Sequence, residues 1–423
     1  MNFRNLLMAS AMTAAAIGFV APAPALAAGA KDVQLLNWWT SGGEAAALDV
    51  LKQYLAKEGY AWKDVPVAGG GGEAAMTTLK AMVAGGDPPM ASQILGYFAL
   101  DYAEAGKLAN VNSLAKKEDW AKVLPTALQK FTTTDGNWDA IPINIHSVNW
   151  IWVNKAVMAK IGGTEPKNFA ELIALMDKAK KAGVTPLALG GQPWQEAILF
   201  DSVVASTGGI GFYKKAFVDL DESALKSDTM KTAFDNLAKL RAYVDPNYAG
   251  RDWNLATAMV IKGDALMQVM GDWAKGEFKV AHKEAGSDFL CYRFPGTDGS
   301  VIYNTDMFAM FKVPESQRAG QLALADASMS VAVQSAFNAI KGSVPARMDV
   351  PDTAFDMCGK KGIADVKKAN AAGTFVGSMA QNYAQPPAIA EAYHDVVTKF
   401  FHGEIKTSTE AVADLYKSIE AAK

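Results

Sequence analysis

Cysteine and histidine are scarce: the 423-residue chain carries two of the first and four of the second. There is no Cys-x-x-Cys pair and no histidine pair at ligand spacing, so neither thiolate nor imidazole chemistry is set up for a metal. A Gly-x-Ser-x-Gly nucleophile motif and the Lys-Ser/Thr of a phosphate loop are also missing. No charge of one sign dominates. The formal net charge is −3 and lysines are interspersed with carboxylates, which argues against a nucleic-acid or anionic-membrane surface and for a neutral partner. Long apolar runs are missing too. The one from Leu6 to Val20 spans about 15 residues, short of the roughly 20 that cross a bilayer.

That run has another reading. Arg4 precedes it and Ala25-Leu26-Ala27 follows it, which is the pattern of a secretory signal. Residues 1–27 are therefore expected to be removed, with the mature chain free in the periplasm of a Gram-negative bacterium. No cysteine near the cleavage point offers a lipid anchor. In such an oxidising compartment, Cys291 and Cys358 are expected to pair as a disulfide. The roughly 400 residues that remain suggest two or three domains.

The order of elements suggests an α/β fold. A short apolar strand at 33–36 leads into Ser41-Gly-Gly-Glu44, whose spacing is that of a capping box at a helix start, and the helix is expected to reach about 59. A strand at 62–67 and a helix at 73–84, stopped by Gly85-Gly-Asp-Pro-Pro89, continue the alternation and imply a parallel sheet. The rhythm resumes with an Asn168-capped helix to 183 and a strand at 184–189. A long amphipathic segment at 225–244 and a buried strand at 265–270 complete what reads as a second lobe. From about 317 the chain reads as mostly helical, with an amphipathic stretch from 388 to the end.

Tryptophan is abundant, with ten residues, several of them at strand ends or among polar neighbours. Trp38 and Trp39 directly follow the first strand. Trp194, Trp253 and Trp273 sit in polar surroundings. Ligands of open α/β sheets bind beyond the carboxyl ends of strands, and an indole face suits the C–H face of a sugar ring while amides and carboxylates take its hydroxyls. Each of these residues also has an ordinary reading. The tryptophans can be core; Glu44 can be the folded-back glutamate of the capping box; Asp306 can be a turn residue and Lys341 a solvated charge. Gly69 to Gly72, opening a helix, invites an anion-cradle reading, but a lone glycine run is a weak signal.

Five segments taken together carry a likeness: Asn37-Trp-Trp-Thr-Ser-Gly-Gly-Glu44, Gly85-Gly-Asp-Pro-Pro89, Arg251-Asp-Trp-Asn-Leu-Ala-Thr-Ala258, Gly271-Asp-Trp-Ala-Lys-Gly-Glu-Phe278 and Lys341-Gly-Ser-Val-Pro345. In order and spacing they resemble the glucose-binding periplasmic proteins of ABC sugar importers, in extracellular solute-binding protein family 1. The resemblance implies two discontinuous lobes joined by three hinge crossovers, near 141–144, 301–305 and 343–347. The lobes would comprise 28–141 plus 306–343 and 142–305 plus 344–423. It also implies a sugar bridging the lobes, a membrane permease as partner, a monomer, and neither cofactor nor catalysis.

Carried over residue by residue, Trp38 and Trp39 match the family's tandem tryptophan, Glu44 its hydroxyl-binding glutamate and Gln93 an amide contact. Trp273 matches a stacking residue of the second lobe, and Asn304, Asp306 and Lys341 match polar contacts at the hinges. His146 lies beside the first crossover. Two positions depart from the pattern: Leu95 stands where glucose binders tend to have Lys or His, and Gln381 where they have His. The expected ligand is a glucose-like hexose, with a disaccharide or other glycoside as the alternative. A glycoside hydrolase using Glu44 and Asp306 would need one raised carboxyl pKa, which a neighbouring Lys341 opposes. A receptor for amino acids or peptides would need a fixed charge pair for ammonium and carboxylate.

Overall fold

A computed structural model describes residues 31–423; the expected signal at 1–27 lies outside the described residues. Among the described residues, twelve of the fourteen strands build the three larger sheets: β1 Asp32–Asn37, β2 Ala61–Pro66, β3 Ala91–Ile94, β4 Ala140–Pro142, β5 His146–Ser147, β6 Trp150–Asn154, β7 Thr185–Ala188, β8 Ala265–Val269, β9 Phe289–Arg293, β10 Val301–Asn304, β11 Met307–Met310 and β12 Phe375–Gly377. They form a five-stranded sheet in the order β2-β1-β3-β11-β4 and a four-stranded sheet in the order β9-β6-β8-β7. A small three-stranded sheet has the order β12-β10-β5; β5 and β10 fall where the chain passes between the large sheets, and β12 follows both.

The expectation of a parallel first sheet needs correction. β1 pairs parallel with β2 and β3, as the alternating strands and helices require. The sheet is then completed by β11, which runs antiparallel to both β3 and β4. β11 follows β10 of the small sheet after only two residues, with no crossover helix before it to make it parallel.

Local chemistry explains the helix boundaries. Ser41 and Glu44 form the anticipated capping box on helix Gly42–Lys57, and helix Glu73–Ala84 has the expected limits. The amphipathic segment at 225–244 is two helices, because Ser227 caps Asp228–Arg241 through the Met230 N–H after Glu222–Leu225 has ended. The stretch from 388 likewise divides: Gly403, left-handed, ends Pro387–His402, and Thr407 caps Ser408–Ala422 with a second capping box.

Two apolar cores result. One gathers Val33, Leu35, Leu51, Phe308 and Phe337 around the five-stranded sheet, and the other gathers Trp152, Phe200, Phe234, Met267 and Tyr393 around the four-stranded one. Val344 and Ala346 in the third crossover segment, and Phe355 and Ile363 beyond it, pack into the first core. Cys291 on β9 and Cys358 on helix Met357–Ala372 form a disulfide that closes a 67-residue loop, a closure that adds about 4 kcal/mol in the chain-entropy account. Three connecting segments run side by side between the cores. Ile143 N–H donates to the Asp306 carbonyl at 3.0 Å, and Ile145 and Val344 exchange backbone hydrogen bonds of 2.7 and 2.9 Å. No helix among the described residues is long and apolar enough to cross a membrane.

Candidate functional site

The carboxyl ends of strands from both large sheets converge on one cleft. Trp38 and Trp39 follow β1, Gln93 is the penultimate residue of β3, Trp273 follows β8, and Asn304 and Asp306 flank the turn from β10 to β11. Lys341 ends helix Val331–Lys341, one residue before the left-handed Gly342. The cavity between these side chains is lined by Trp38, Trp39, Glu44, His146, Trp273, Asn304, Asp306, Lys341, Leu95 and Gln381, joined by Trp194 and Trp253. Gln93 lies one layer behind, holding the wall rather than forming it.

Asp306 is the centre of the polar network. Gln93 Nε2 donates to its Oδ1 at 2.8 Å, and Asn144 Nδ2 donates to its Oδ2 at 2.7 Å. His146 Nε2 lies 3.0 Å from the same Oδ2, while Nδ1 of that ring is hydrogen-bonded to Asp272. Asp272 is fixed in turn by the Ser147 N–H at 3.1 Å. Gln93 also accepts from the Trp38 N–H through Oε1 at 3.1 Å. One chain of hydrogen bonds thus runs from Asp272 after β8, through the connecting segments, to Trp38 after β1.

The charges in this network support each other. Burial pushes Asp306 up, but the hydrogen bond and charge of His146, the charge of Lys341 and the Asn144 amide outweigh it and hold the carboxyl at about 2. Burial pushes His146 down, yet Asp272 and Asp306 on its two nitrogens raise its pKa above the ordinary value. The ring is therefore favoured as imidazolium between two carboxylates. Lys341 Nζ, almost fully buried, bonds Glu44 Oε1 at 3.2 Å and stands 5.7 Å from the Trp39 ring centre. Glu44 fills its capping-box reading, with Oε2 on the Ser41 N–H at 3.2 Å, while Oε1 faces Lys341 in the cleft wall.

Rings form the walls. Trp273 meets His146 edge to face at 5.0 Å between centroids, and Trp194 lies 6.2 Å from Trp273. Trp39 is seated by Phe308 and Phe337 from the first core. The glycine run cradles tryptophan edges, and the helix behind it is capped by Gly72 without any side-chain hydrogen bond. A Cβ on Gly70 would lie 2.9 Å from Trp253 Cδ1, and one on Gly71 would lie 2.7 Å from Trp194 Cδ1. Only glycine lets the two lobes meet so closely. Gly43 N–H also donates across the cleft to Glu277 at 2.8 Å.

The cavity measures only about 30 Å³, the scale of a water or two rather than of a ring. A space for a sugar ring would require these walls to stand further apart. Asn304 presents a buried Oδ1 with no partner in the protein, an acceptor suited to a ligand hydroxyl. Asn144 and Asp272 were not singled out from sequence. Amides and aspartates have so many turn roles that only spatial convergence reveals these two, although Asp272 does sit within the Gly271-Asp-Trp segment.

Comparison with known proteins settles the family. The model of the bacterial extracellular solute-binding protein family matches residues 39–313. The chain belongs to this family. It is 68% identical over 99% of its length to a "probable sugar-binding periplasmic protein" of Mesorhizobium japonicum, and covers 100% of that relative. A protein of the same description from Brucella melitensis is 58% identical over 99% of this chain and 100% of its own. Among solved structures, a chitin oligosaccharide binding protein superposes with a TM-score of 0.78 at 20% identity, covering 92% of this chain and 98% of its own. The solute receptor AcbH, described as preferring β-D-galactopyranose exclusively, superposes with a TM-score of 0.77 at 18% identity, covering 92% and 97%. These likenesses establish the two-lobed binding-protein fold. As a member of the family the protein is a binding protein, not an enzyme, and a carboxyl held at about 2 has no use as a general acid.

Proposed function

We propose that this protein captures a sugar in the periplasm and hands it to the permease of an ABC importer. The observation that carries the reading is Asp306, kept ionised by His146 and Asn144 at the centre of a cleft walled by Trp38, Trp39, Trp194 and Trp273. Ring faces are to stack on the tryptophans, and hydroxyls are to bond Asp306, Asn304, Glu44 and Lys341. The sugar-binding names of relatives that match the whole chain support the same reading. A glucose-like hexose is the ligand we favour.

The mature protein is to begin near Ala28 and act as a monomer. Its lobes are to consist of 28–141 plus 306–343 and 142–305 plus 344–423, and the neighbouring connecting segments are to act as hinges. Sugar then closes the lobes by binding the closed form more tightly than the open one.

A thermal-shift screen of the mature protein against hexoses, pentoses, disaccharides and amino acids tests this. A ligand at 100 times its dissociation constant stabilises by about 2.7 kcal/mol, so the preferred sugar should raise Tm by several degrees. No shift with any sugar, or a shift with an amino acid alone, overturns the reading.

A further inference from the structure

A second, much larger chamber opens from the small cavity. It measures about 840 Å³ and shares Trp38, Gly71, Leu95, Trp194 and Gln381 with the inner site. That volume lies within the roughly 300–1,000 Å³ typical of ligand pockets. Leu95 and Gln381 line both spaces, where the two adjoin. Their segments touch: the Tyr97 N–H donates to the Asn382 carbonyl at 3.1 Å, and a Cβ on Gly96 would lie 1.9 Å from that same oxygen.

The inner walls of this chamber are apolar. Met76, Val83, Phe98 and Tyr102 are half-buried along it, beside Trp38 and Trp194. The charged members, Glu73, Lys80, Asp101, Lys107, Glu391 and Asp395, are exposed. Asn382, Thr398 and His394 are the half-buried polar groups beside Gln381; His394 has its Nε2 committed to the Ala380 carbonyl at 3.0 Å, and burial lowers its pKa to about 4, so the ring is neutral. Such a surface offers few directed hydrogen bonds to a second sugar and a large area to a hydrocarbon.

We infer that the outer chamber receives the apolar aglycone of a glycoside whose sugar ring occupies the inner cleft. This inference rests on the sugar reading above and adds the ligand class. Leu95 puts an apolar side chain between ring and aglycone, and the aglycone carbon chain or ring passes along the leucine into the Phe98 side of the chamber.

Isothermal titration with matched pairs tests it: free sugar, methyl glycoside, p-nitrophenyl glycoside and disaccharide, for glucose, galactose, mannose and xylose in both anomers. The p-nitrophenyl glycoside of the accepted sugar should bind at least tenfold more tightly than its methyl glycoside. Phe98→Ala and Met76→Gln should remove most of that gain and leave methyl glycoside affinity within about twofold. Equal affinity of aryl and methyl glycosides while the free sugar binds, or a disaccharide that outbinds the aryl glycoside, overturns the aglycone assignment and leaves the sugar reading standing. No binding by any member of the panel overturns both.

Discussion

Two buried aspartates show how this chain separates binding from scaffolding. Asp306 lies in the cleft and Asp201 in the second core, and both are almost wholly removed from solvent. Asp201 accepts from Ser378 Oγ at 2.7 Å, from the Ala380 N–H at 3.2 Å and from Tyr393 OH at 2.9 Å. All of these donors are neutral. Burial therefore dominates and pushes Asp201 up to about 6, with the hydroxyls only moderating the rise. Asp306 has comparable burial but faces an imidazolium and an ammonium, and it falls to about 2. The partners, not the depth, decide whether a buried carboxyl keeps its charge.

The two sites are connected. Asp201 ties down Ser378 and Ala380, and Tyr213 OH accepts from the Met379 N–H at 2.8 Å. The segment that delivers Gln381 to the cleft is thus anchored on the second core, so a structural carboxylate positions a wall of the binding site without touching it.

The largest way to break this comparison is Asp201→Ala, which strands the two hydroxyls and the amide that now donate to the carboxylate. At 1–3 kcal/mol for each unsatisfied buried donor, the variant should lose about 3 kcal/mol or more in urea unfolding. Sugar affinity of the folded fraction should change only a few-fold. An affinity loss as large as that of a cleft variant would erase the distinction between the two aspartates. Trp273→Ala removes a cleft wall and the ring against His146; calorimetry should show about a 100-fold weaker sugar complex with an unchanged far-ultraviolet spectrum.

A third variant sharpens the comparison at the meeting of the lobes. Gly71→Ala drives a methyl group into Trp194, and the expected result is about tenfold weaker binding with a more open average shape in small-angle scattering. Unaltered affinity and shape would show that closure does not bring these surfaces together.

The smallest expected effect is on pH dependence, and the two aspartates should act with opposite sign. Asp201 has a folded pKa of about 6, above its unfolded value, so its contribution is present at low pH and is lost as pH rises from about 4 through 6. Asp306, held at about 2, stabilises the fold above the ordinary carboxylate value and loses that contribution as pH falls from about 4 to 2. His394, lowered to about 4, opposes Asp201 by losing its contribution as pH falls from about 6.5 to 4. Comparing wild type with Asp201→Asn isolates the first effect: the variant should lack the Asp201-dependent stabilisation between pH 6 and 4. Identical Tm profiles for the two proteins would contradict the assignment.

Much of this architecture is legible in the sequence wherever the cause is local. The capping box at Ser41 and Glu44, the helix at 73–84 and the strand ahead of Trp38 are each set by neighbours within a few residues. What remained hidden is set by distant chain. Nothing near Met307–Met310 reveals that it runs antiparallel beside Ala91–Ile94, and that pairing is what brings Gln93 to Asp306. The glycine run is a weak anion-loop signal in the sequence, and only the fold shows Trp194 and Trp253 set against it. Leu95 and Gln381 stand out singly as departures, but their shared place between two chambers exists only in the fold.

The most direct test of the cleft account is a paired titration of Asp306→Asn and Asp201→Asn with the sugar that gives the largest thermal shift. Asp306→Asn should remain folded and lose at least 100-fold in affinity, because an amide cannot hold the His146 imidazolium or accept a hydroxyl as a carboxylate does. Asp201→Asn should bind within a few-fold of wild type. Wild-type affinity in folded Asp306→Asn would contradict the claim that this carboxylate organises the binding site.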